Sequence, residues 1–265
     1  MSKKHKEAVQ RQFTKTSEAF AKLAVRDTPE VVAERVEFAR PQSTDLVLDV
    51  ACGSGAFLLA LAPRVCFAHG LDLTAEMLRQ ARAFQQERQI PNVCFGQGEA
   101  EQLPYPAVAF DFVTCQFSFH HMSRSEVALK ELVRVMKPEG RMLIIESLAP
   151  ESDEKFELHN RIENRRDASH VLSLRFTTFL KLFSEFRLDI LHQSIKRRQR
   201  SFNHWMRRAG LRPKHKRYQE TRRLLEESLP GDRAGFAAQP QGDDILIVHH
   251  EGMFLLARQA VGGRS

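Results

Sequence analysis

The chain predicts a doubly wound α/β fold, a mostly parallel sheet with helices on both faces, on three observations. Short branched apolar runs alternate with amphipathic helical stretches through residues 41–150. The first run, "LVLDV" at 46–50, lacks the strict polar alternation of a half-exposed strand and reads as one buried on both faces. Directly after it, Gly53 and Gly55 mark a sharp strand-to-helix turn where backbone can approach a ligand. Such alternation implies right-handed crossovers and therefore parallel neighbours.

The elements follow in order. Residues to about 24 read as helical, and Thr28-Pro29 starts a further helix, with Pro at its first position and Val31, Val32 and Val36 on one side. "FLLALAPR" after the glycines has helical spacing and stops near Pro63. "VCFAHGLDL" (65–73) is a second strand, and Thr74 caps the helix "AEMLRQARAFQQER". "NVCFGQG" (92–98) and "AFDFVTCQF" (109–117) are the third and fourth strands. Ser123 and Glu126 have capping-box spacing for "EVALKELVRVM", which ends at Lys137-Pro138. "EGRMLIIES" (139–147) is the fifth strand.

Beyond Pro150 the periods loosen. "FTTFLKLFSEF" and "FNHWMRRAG" predict helices around a strand-like "RLDILHQSIK", and "DDILIVHHEGMFLLAR" (243–258) is a last long strand with a break at Glu251-Gly252. Without an internal repeat or low-complexity linker, residues 1–265 read as one domain. Its parts are an N-terminal helical lid segment (1–40), a core (41–150), a lid insertion over the sheet (151–230) and the final strand (243–258).

Composition bounds the function. With 265 residues, 42% hydrophobic and 28% charged, the chain can build a real core. A net charge of +7 raises nucleic acid or another acidic surface as a partner. Cys52, Cys66, Cys94 and Cys115 form no C-x-x-C and read as buried reduced thiols. His120 and His121 are adjacent rather than a helical turn apart, so no metal site is expected. No apolar stretch follows the basic start "MSKKHKEAVQ", and no run approaches the roughly 18 residues of a membrane span, so a cytoplasmic protein is expected.

The glycine turn narrows the ligand. A G-x-x-x-x-G-K-[ST] phosphate cradle is absent, and the dinucleotide pattern fails because no third glycine follows Gly53 and Gly55 at the required place. Asp49, inside the first strand, would repel a pyrophosphate but suits a cation. Asp72 ends the second strand, where a carboxylate can accept both hydroxyls of a ribose. A ribose-containing cation such as S-adenosylmethionine fits both.

"VLDVACGSG", "GLDLTAEML", "GQGEAEQLPYP", "FDFVTCQFSFHHM" and "LKELVRVMKPEGRMLIIE" occur in the order and spacing of class I S-adenosylmethionine-dependent methyltransferases. The chain resembles the small-molecule branch that includes the ubiquinone/menaquinone-biosynthesis C-methyltransferases, over about residues 10 to 147. The resemblance implies a seven-stranded Rossmann-like sheet, S-adenosylmethionine as methyl donor and S-adenosylhomocysteine as product. It implies that Asp49, with the turn Ala51, Cys52, Gly53 and Gly55, holds the methionine part, and that Asp72 takes the ribose. Leu73, Met77, Gly98, Glu99 and Ala100 then lie about the adenine, and Gln116 and Phe117 beside the amino group and reacting methyl. Ala51 stands where many relatives have Gly, and Glu99 where Asp is usual.

For the acceptor side, His121 is the candidate general base. Phe13 and Phe20, seven apart on one helix face, resemble aromatic lid residues. "RRDASHV" (165–171) resembles an element of some members of the branch and makes Arg166 and His170 candidate substrate contacts. The expected partner is a small, partly apolar acceptor.

The competing reading is an RNA methyltransferase, supported by the cationic, aromatic-interleaved stretch 196–223 and opposed by the lack of [DN]-P-P-[FYW] after strand four. A third is a regulatory protein that binds the cofactor without catalysis. The acceptor atom and the oligomeric state, a dimer among the options, are not encoded in any motif.

Overall fold

Strand β1 (Leu46–Val50) lies inside the sheet, hydrogen-bonded in parallel to β2 (Phe67–Asp72) on one side and β4 (Phe110–Gln116) on the other. The computed structural model describes residues 2–22 and 28–259, with side chains outside 18–22. Around β1 the chain runs through α1 (Lys3–Lys22), α2 (Pro29–Ala39), α3 (Ala56–Leu61), α4 (Ala75–Glu87), β3 (Val93–Gln97), α5 (Ser125–Val135) and β5 (Met136–Leu148). It continues through α6 (Asp153–Arg166), α7 (Phe176–Glu185), β6 (Leu188–Ser201), α8 (Phe202–Arg208), α9 (Lys216–Glu227), β7 (Gln239–Gln241) and β8 (Asp244–Arg258). The sheet order is β3-β2-β1-β4-β5-β8-β6, with β8 antiparallel to both of its neighbours. The seven expected strands are present. An eighth, the three-residue β7, pairs with the start of β8 and carries too little apolar pattern to be read from sequence.

Both faces of the parallel strands are buried, which is why their apolar runs are nearly continuous. Leu48, Val113 and Ile144 pack on one face with Leu129 and Leu132 of α5 and Phe179 and Phe183 of α7. Their alternates Val47, Phe112 and Leu143 pack on the other with Val36 of α2 and Leu58 of α3. A separate cluster joins Phe202, Trp205 and Met206 of α8, Tyr218 and Leu225 of α9, Ile162 of α6 and Ile247 of β8.

Several local expectations are corrected. The fifth strand begins at Met136, directly from α5, so the helix ends before Lys137, whose helical backbone Pro138 disfavours. The Ser123–Glu126 capping box does not form: Ser123 Oγ donates to Glu101 Oε1 at 3.3 Å, and Arg124 occupies the cap position. Strand β8 runs unbroken through Glu251-Gly252. Gly252 is there for packing, since an added Cβ would lie 2.9 Å from the Phe254 ring and 3.0 Å from Leu148. Only Cys115 of the thiols is buried; Cys52 is half-buried, and Cys66 and Cys94 are exposed.

The basic stretch 196–223 is not one surface. It spans the end of β6, α8 and most of α9, and its aromatics Phe202, Trp205 and Tyr218 are buried in the third cluster rather than presented for stacking on bases. Arg208 is 6% exposed, so it cannot belong to a solvated face. Among the described residues no helix is long and apolar enough to cross a membrane.

Helix α2 is fastened to β8 by a buried ion pair. Arg35 Nη2 stands 2.8 Å from Glu251 Oε2, with Arg198 also reaching Glu251 at 3.3 Å. Removing one partner of such a pair leaves a charge in a dry site. Arg35→Met is therefore expected to lower stability by about 3 kcal/mol in urea melts, with part of the loss recovered when Glu251→Leu is added.

Candidate active site at the switch point

Strand order reverses between β1 and β4, and there the C-terminal ends of β1, β2 and β4 open a crevice. The β1 turn is shaped by backbone in the left-handed region: Ala51 at φ 59°, Gly53 at 55° and Gly55 at 75°. Ala51 pays steric strain there, a cost usually found at functional turns. An added Cβ on Gly53 would meet nothing within 4 Å, so its bare backbone faces open space. Gly55 differs. It caps α3, its N–H donates to Cys52 O at 2.9 Å, and an added Cβ would lie 3.2 Å from the Phe95 ring. It packs at the start of α3 and is not among the cavity-lining residues.

Asp72 ties two turns together. Its Oδ2 accepts the Gly53 N–H at 2.9 Å and its Oδ1 the Thr74 N–H at 2.8 Å. Thr74 holds the expected cap position of α4, but its side chain makes no capping bond; its own N–H is held by Asp72. Burial raises the Asp72 pKa, opposed by those backbone hydrogen bonds. Asp49, 3% exposed, accepts a hydrogen bond from Thr114 Oγ1 at 2.5 Å. Burial pushes Asp49 up to about 7, the Thr114 bond opposing and the Asp72 charge adding to the shift.

The crevice widens into a cavity of about 260 Å³. Of the expected cofactor residues, Asp49, Ala51, Cys52, Gly53, Asp72, Leu73, Met77, Gly98, Glu99, Ala100, Gln116 and Phe117 line it. Phe13, His121 and Arg166 line it as well. His170 does not: it is buried, with Nε2 hydrogen-bonded to Asn160 Oδ1 at 3.1 Å, and supports the loop after α6. The Phe20 side chain lies outside the described residues. Gln116 Nε2 is buried in the cavity wall without a hydrogen-bond partner, a donor that a bound group would satisfy.

Helix α1 crosses between the two sides of this cavity. His5 Nε2–H donates to His121 O at 2.8 Å, Lys6 pairs with Glu99, and Gln10 Nε2 donates to Leu73 O at 3.2 Å. Farther along, Gln12 Nε2 donates to Ala209 O at 3.2 Å, and the Phe13 ring meets His121 edge-on with centroids 5.0 Å apart.

The two adjacent histidines are in different states. His121 Nδ1 lies 3.0 Å from Ser169 O, and a carbonyl only accepts, so Nδ1 carries the proton and Nε2 the lone pair. Burial, then the neighbouring His120, lower His121 to about 4. His120 Nδ1 stands 2.7 Å from Glu146 Oε1; burial disfavours its charge, but Glu146 outweighs burial and raises its pKa. Ser169 is oriented by Asp167, whose Oδ1 accepts its N–H at 2.9 Å and its Oγ–H at 2.6 Å.

The sequence reading missed Arg35, Glu163, Asp167, Arg200, Trp205, Arg208 and His249, all of which line the cavity. Asp167 sits inside the "RRDASHV" element already singled out, whereas Trp205 and Arg208 were absorbed into the apparent basic face. Only tertiary packing of α2, α6, β6, α8 and β8 brings them together.

An open sheet of this order, with a carboxylate in β1 and another ending β2 at one crevice, defines a Rossmann-like fold with its site at the switch point. Residues 48–144 match the methyltransferase domain family. The chain is 34% identical over 200 residues to the uncharacterized methyltransferase YcgJ of Bacillus subtilis, covering 75% of this chain and 78% of that one. The crystal structure of YcgJ superposes with a TM-score of 0.78 at 28% identity, covering 86% of this chain and 98% of that chain. A demethylmenaquinone methyltransferase of Deinococcus radiodurans is 39% identical over 109 residues, 40% of this chain and 44% of that protein. The chain belongs to the methyltransferase domain family and is an S-adenosylmethionine-dependent methyltransferase.

The assigned tautomer is open to measurement. Because His121 gains a proton only as pH falls toward 4, nitrogen-15 NMR should find its ring neutral and protonated on Nδ1 from pH 8 to about 5.5. An ordinary titration near pH 6.5 would count against the buried Ser169 contact.

Proposed function

We propose that this enzyme methylates a small, partly apolar acceptor, which enters between the sheet and a lid made of α1 and the α6–α9 region. The observation that carries the reading is the cavity itself, lined by Asp49, Asp72 and the partnerless Gln116 Nε2 together with Phe13, His121 and Trp205. The residues fit S-adenosylmethionine. When bound, it supplies a sulfonium methyl already activated for in-line displacement.

The chain's own residues then bind, orient and exclude water. Asp49 is buried and near its neutralisation point, so a cationic amino group would draw it into the charged form. The remaining lone pairs of Asp72 accept ribose hydroxyls while its present bonds hold the turn. Glu99 and the backbone of Ala100 meet the adenine edge, with Lys6 neutralising Glu99 from above. Gln116 Nε2 donates to the amino-acid part of the cofactor, and Gly53 lets the turn approach it closely.

His121, kept neutral, accepts a hydrogen bond from the acceptor O–H or N–H at Nε2 and aligns it with the methyl. As a base it is weak, which suits an acceptor that loses its proton only as the new bond forms. Phe13 packs against that imidazole and closes the site toward solvent. The RNA reading loses its main support, because the aromatics of 196–223 are core residues.

Calorimetry with S-adenosylhomocysteine tests the cofactor half. The expected result is micromolar affinity that rises as pH climbs toward about 7, where Asp49 loses its proton, and levels off above it. Asp49→Asn should flatten the profile and weaken binding about tenfold or more. Absence of binding at pH 8 would overturn the reading. Incubation of the enzyme and methyl-labelled cofactor with a cell extract should put label in small molecules; label in RNA alone would restore the competing class.

A further inference from the structure

The turn after β4 holds a second histidine, and the cofactor half of the site gives it no task. His120 lines the cavity beside His121, and its backbone carbonyl accepts the Val171 N–H at 2.7 Å, which fixes it against the loop after α6. Its Nδ1 stands 2.7 Å from Glu146 Oε1 on the neighbouring strand β5. Glu146 is fully buried and its contacts are N–H groups. Oε2 accepts the Phe119 N–H at 2.8 Å, and Oε1 accepts the Ser147 N–H at 2.8 Å. Both oxygens already serve as acceptors, so His120 Nδ1 is the donor, and the lone pair of the neutral ring falls on Nε2.

Nε2 is the open end of this pair. It has no hydrogen-bond partner among the described residues, and the His120 side chain remains 13% exposed. A carboxylate that orients one ring nitrogen and leaves the other toward a cavity is the arrangement of a general base. The carboxylates facing His120 are Glu146 from β5, Glu163 from α6, itself paired with Arg166, and Asp167 from the loop beyond. His121 and His170 flank the ring, with centroids 4.2 Å and 5.5 Å away, and His5 of α1 holds the His121 carbonyl. Burial disfavours the imidazolium, but the carboxylates, Glu146 above all, outweigh burial and raise the His120 pKa. His121, lowered to about 4, cannot keep a proton at neutral pH. A proton leaving the acceptor needs a stronger base, and His120 stands beside it.

We propose that His120 is the general base of methyl transfer, with Glu146 as its positioning residue. The inference rests on the methyltransferase reading of the same cavity and adds the group that takes the proton. The acceptor's oxygen or nitrogen forms its bond to the methyl carbon, the carbon–sulfur bond breaks, and sulfur keeps that electron pair. The acceptor's proton passes to His120 Nε2. The charge lost from the sulfonium thus reappears on an imidazolium that Glu146 balances, while His121 aligns the acceptor and stays neutral.

Nitrogen-15 NMR of the enzyme, with and without saturating S-adenosylhomocysteine, reads the pair directly. The expected result is a neutral His120 ring protonated on Nδ1 and a titration midpoint above the ordinary 6.5. In Glu146→Gln the midpoint should fall by about one pH unit or more. A wild-type midpoint at or below 6.5, or a neutral ring protonated on Nε2, would overturn the proposal. Turnover is read as label passed from methyl-labelled S-adenosylmethionine to small molecules of a cell extract, at saturating cofactor so that Asp49 stays charged. The wild-type rate should rise with pH through the His120 midpoint and level off above it, because only the neutral ring accepts a proton. His120→Gln retains a donor for Glu146, so it decides the question even if Glu146→Gln does not fold. It should lower the rate about a hundredfold and abolish that rise, with calorimetric affinity for S-adenosylhomocysteine unchanged. Labelling undiminished in His120→Gln would overturn this inference alone. Wild-type enzyme that binds the cofactor but labels no small molecule would overturn the reading of the site and this inference with it.

Discussion

The Asp72 carboxylate accepts backbone N–H groups from Gly53 and from Thr74, and so pins the turn after β1 to the turn after β2. Those turns are the floor of the crevice. Each has a further bond of its own, Gly55 N–H to Cys52 O in the first and Gln97 Nε2 to Leu73 O in the second, but Asp72 joins the two through one carboxylate. Thr74 makes no side-chain cap, and Gly53 has no side chain. A buried carboxylate with two charge-assisted bonds is a strong local clamp. It also keeps a negative charge beside Asp49, which helps hold that second carboxyl near neutrality. Asp72 therefore contributes to both the geometry and the electrostatics of the sheet side, where burial of Asp49 is the larger influence on its charge.

From that clamp the rest of the site follows in layers. Asp49 is steadied by Thr114 on the neighbouring strand, so the β1–β4 pairing that creates the switch point also sets a side chain inside it. The lining from after Pro150 is anchored elsewhere, by the cluster around Trp205 and by the Arg35–Glu251 pair that joins α2 to β8. Helix α1 connects the halves through short polar contacts to His121, Glu99, Leu73 and Ala209.

What could be read from sequence divides along the same line. Strands β1 to β5 and the residues that line the sheet side of the cavity were legible because their information is local: branched runs, a glycine turn, acids at strand ends. The packing of Gly55 was not legible, because it depends on Phe95, forty residues away in a different strand. The bond of His170 to Asn160 was likewise hidden, since Asn160 is brought to it by the path of the chain after α6. The lid-side arginines were hidden by their composition. A run such as "KRRQRSFNHWMRRAG" looks solvated until β6 is seen to carry part of it along a sheet edge and α8 to turn Trp205 and Arg208 inward.

Strand β6 is the end of the sheet, fourteen residues long, and it bears exposed Ile190, Leu191 and Ile195. An open apolar edge of that length is a template for another chain to continue the sheet. Its second half, however, carries Lys196, Arg197, Arg198 and Arg200. Lys196 and Arg198 are paired with Glu34 of α2, and Arg200 lines the cavity. This basic run is thus tied back onto the molecule by its charges, and the apolar side chains that the strand turns to solvent all come before it.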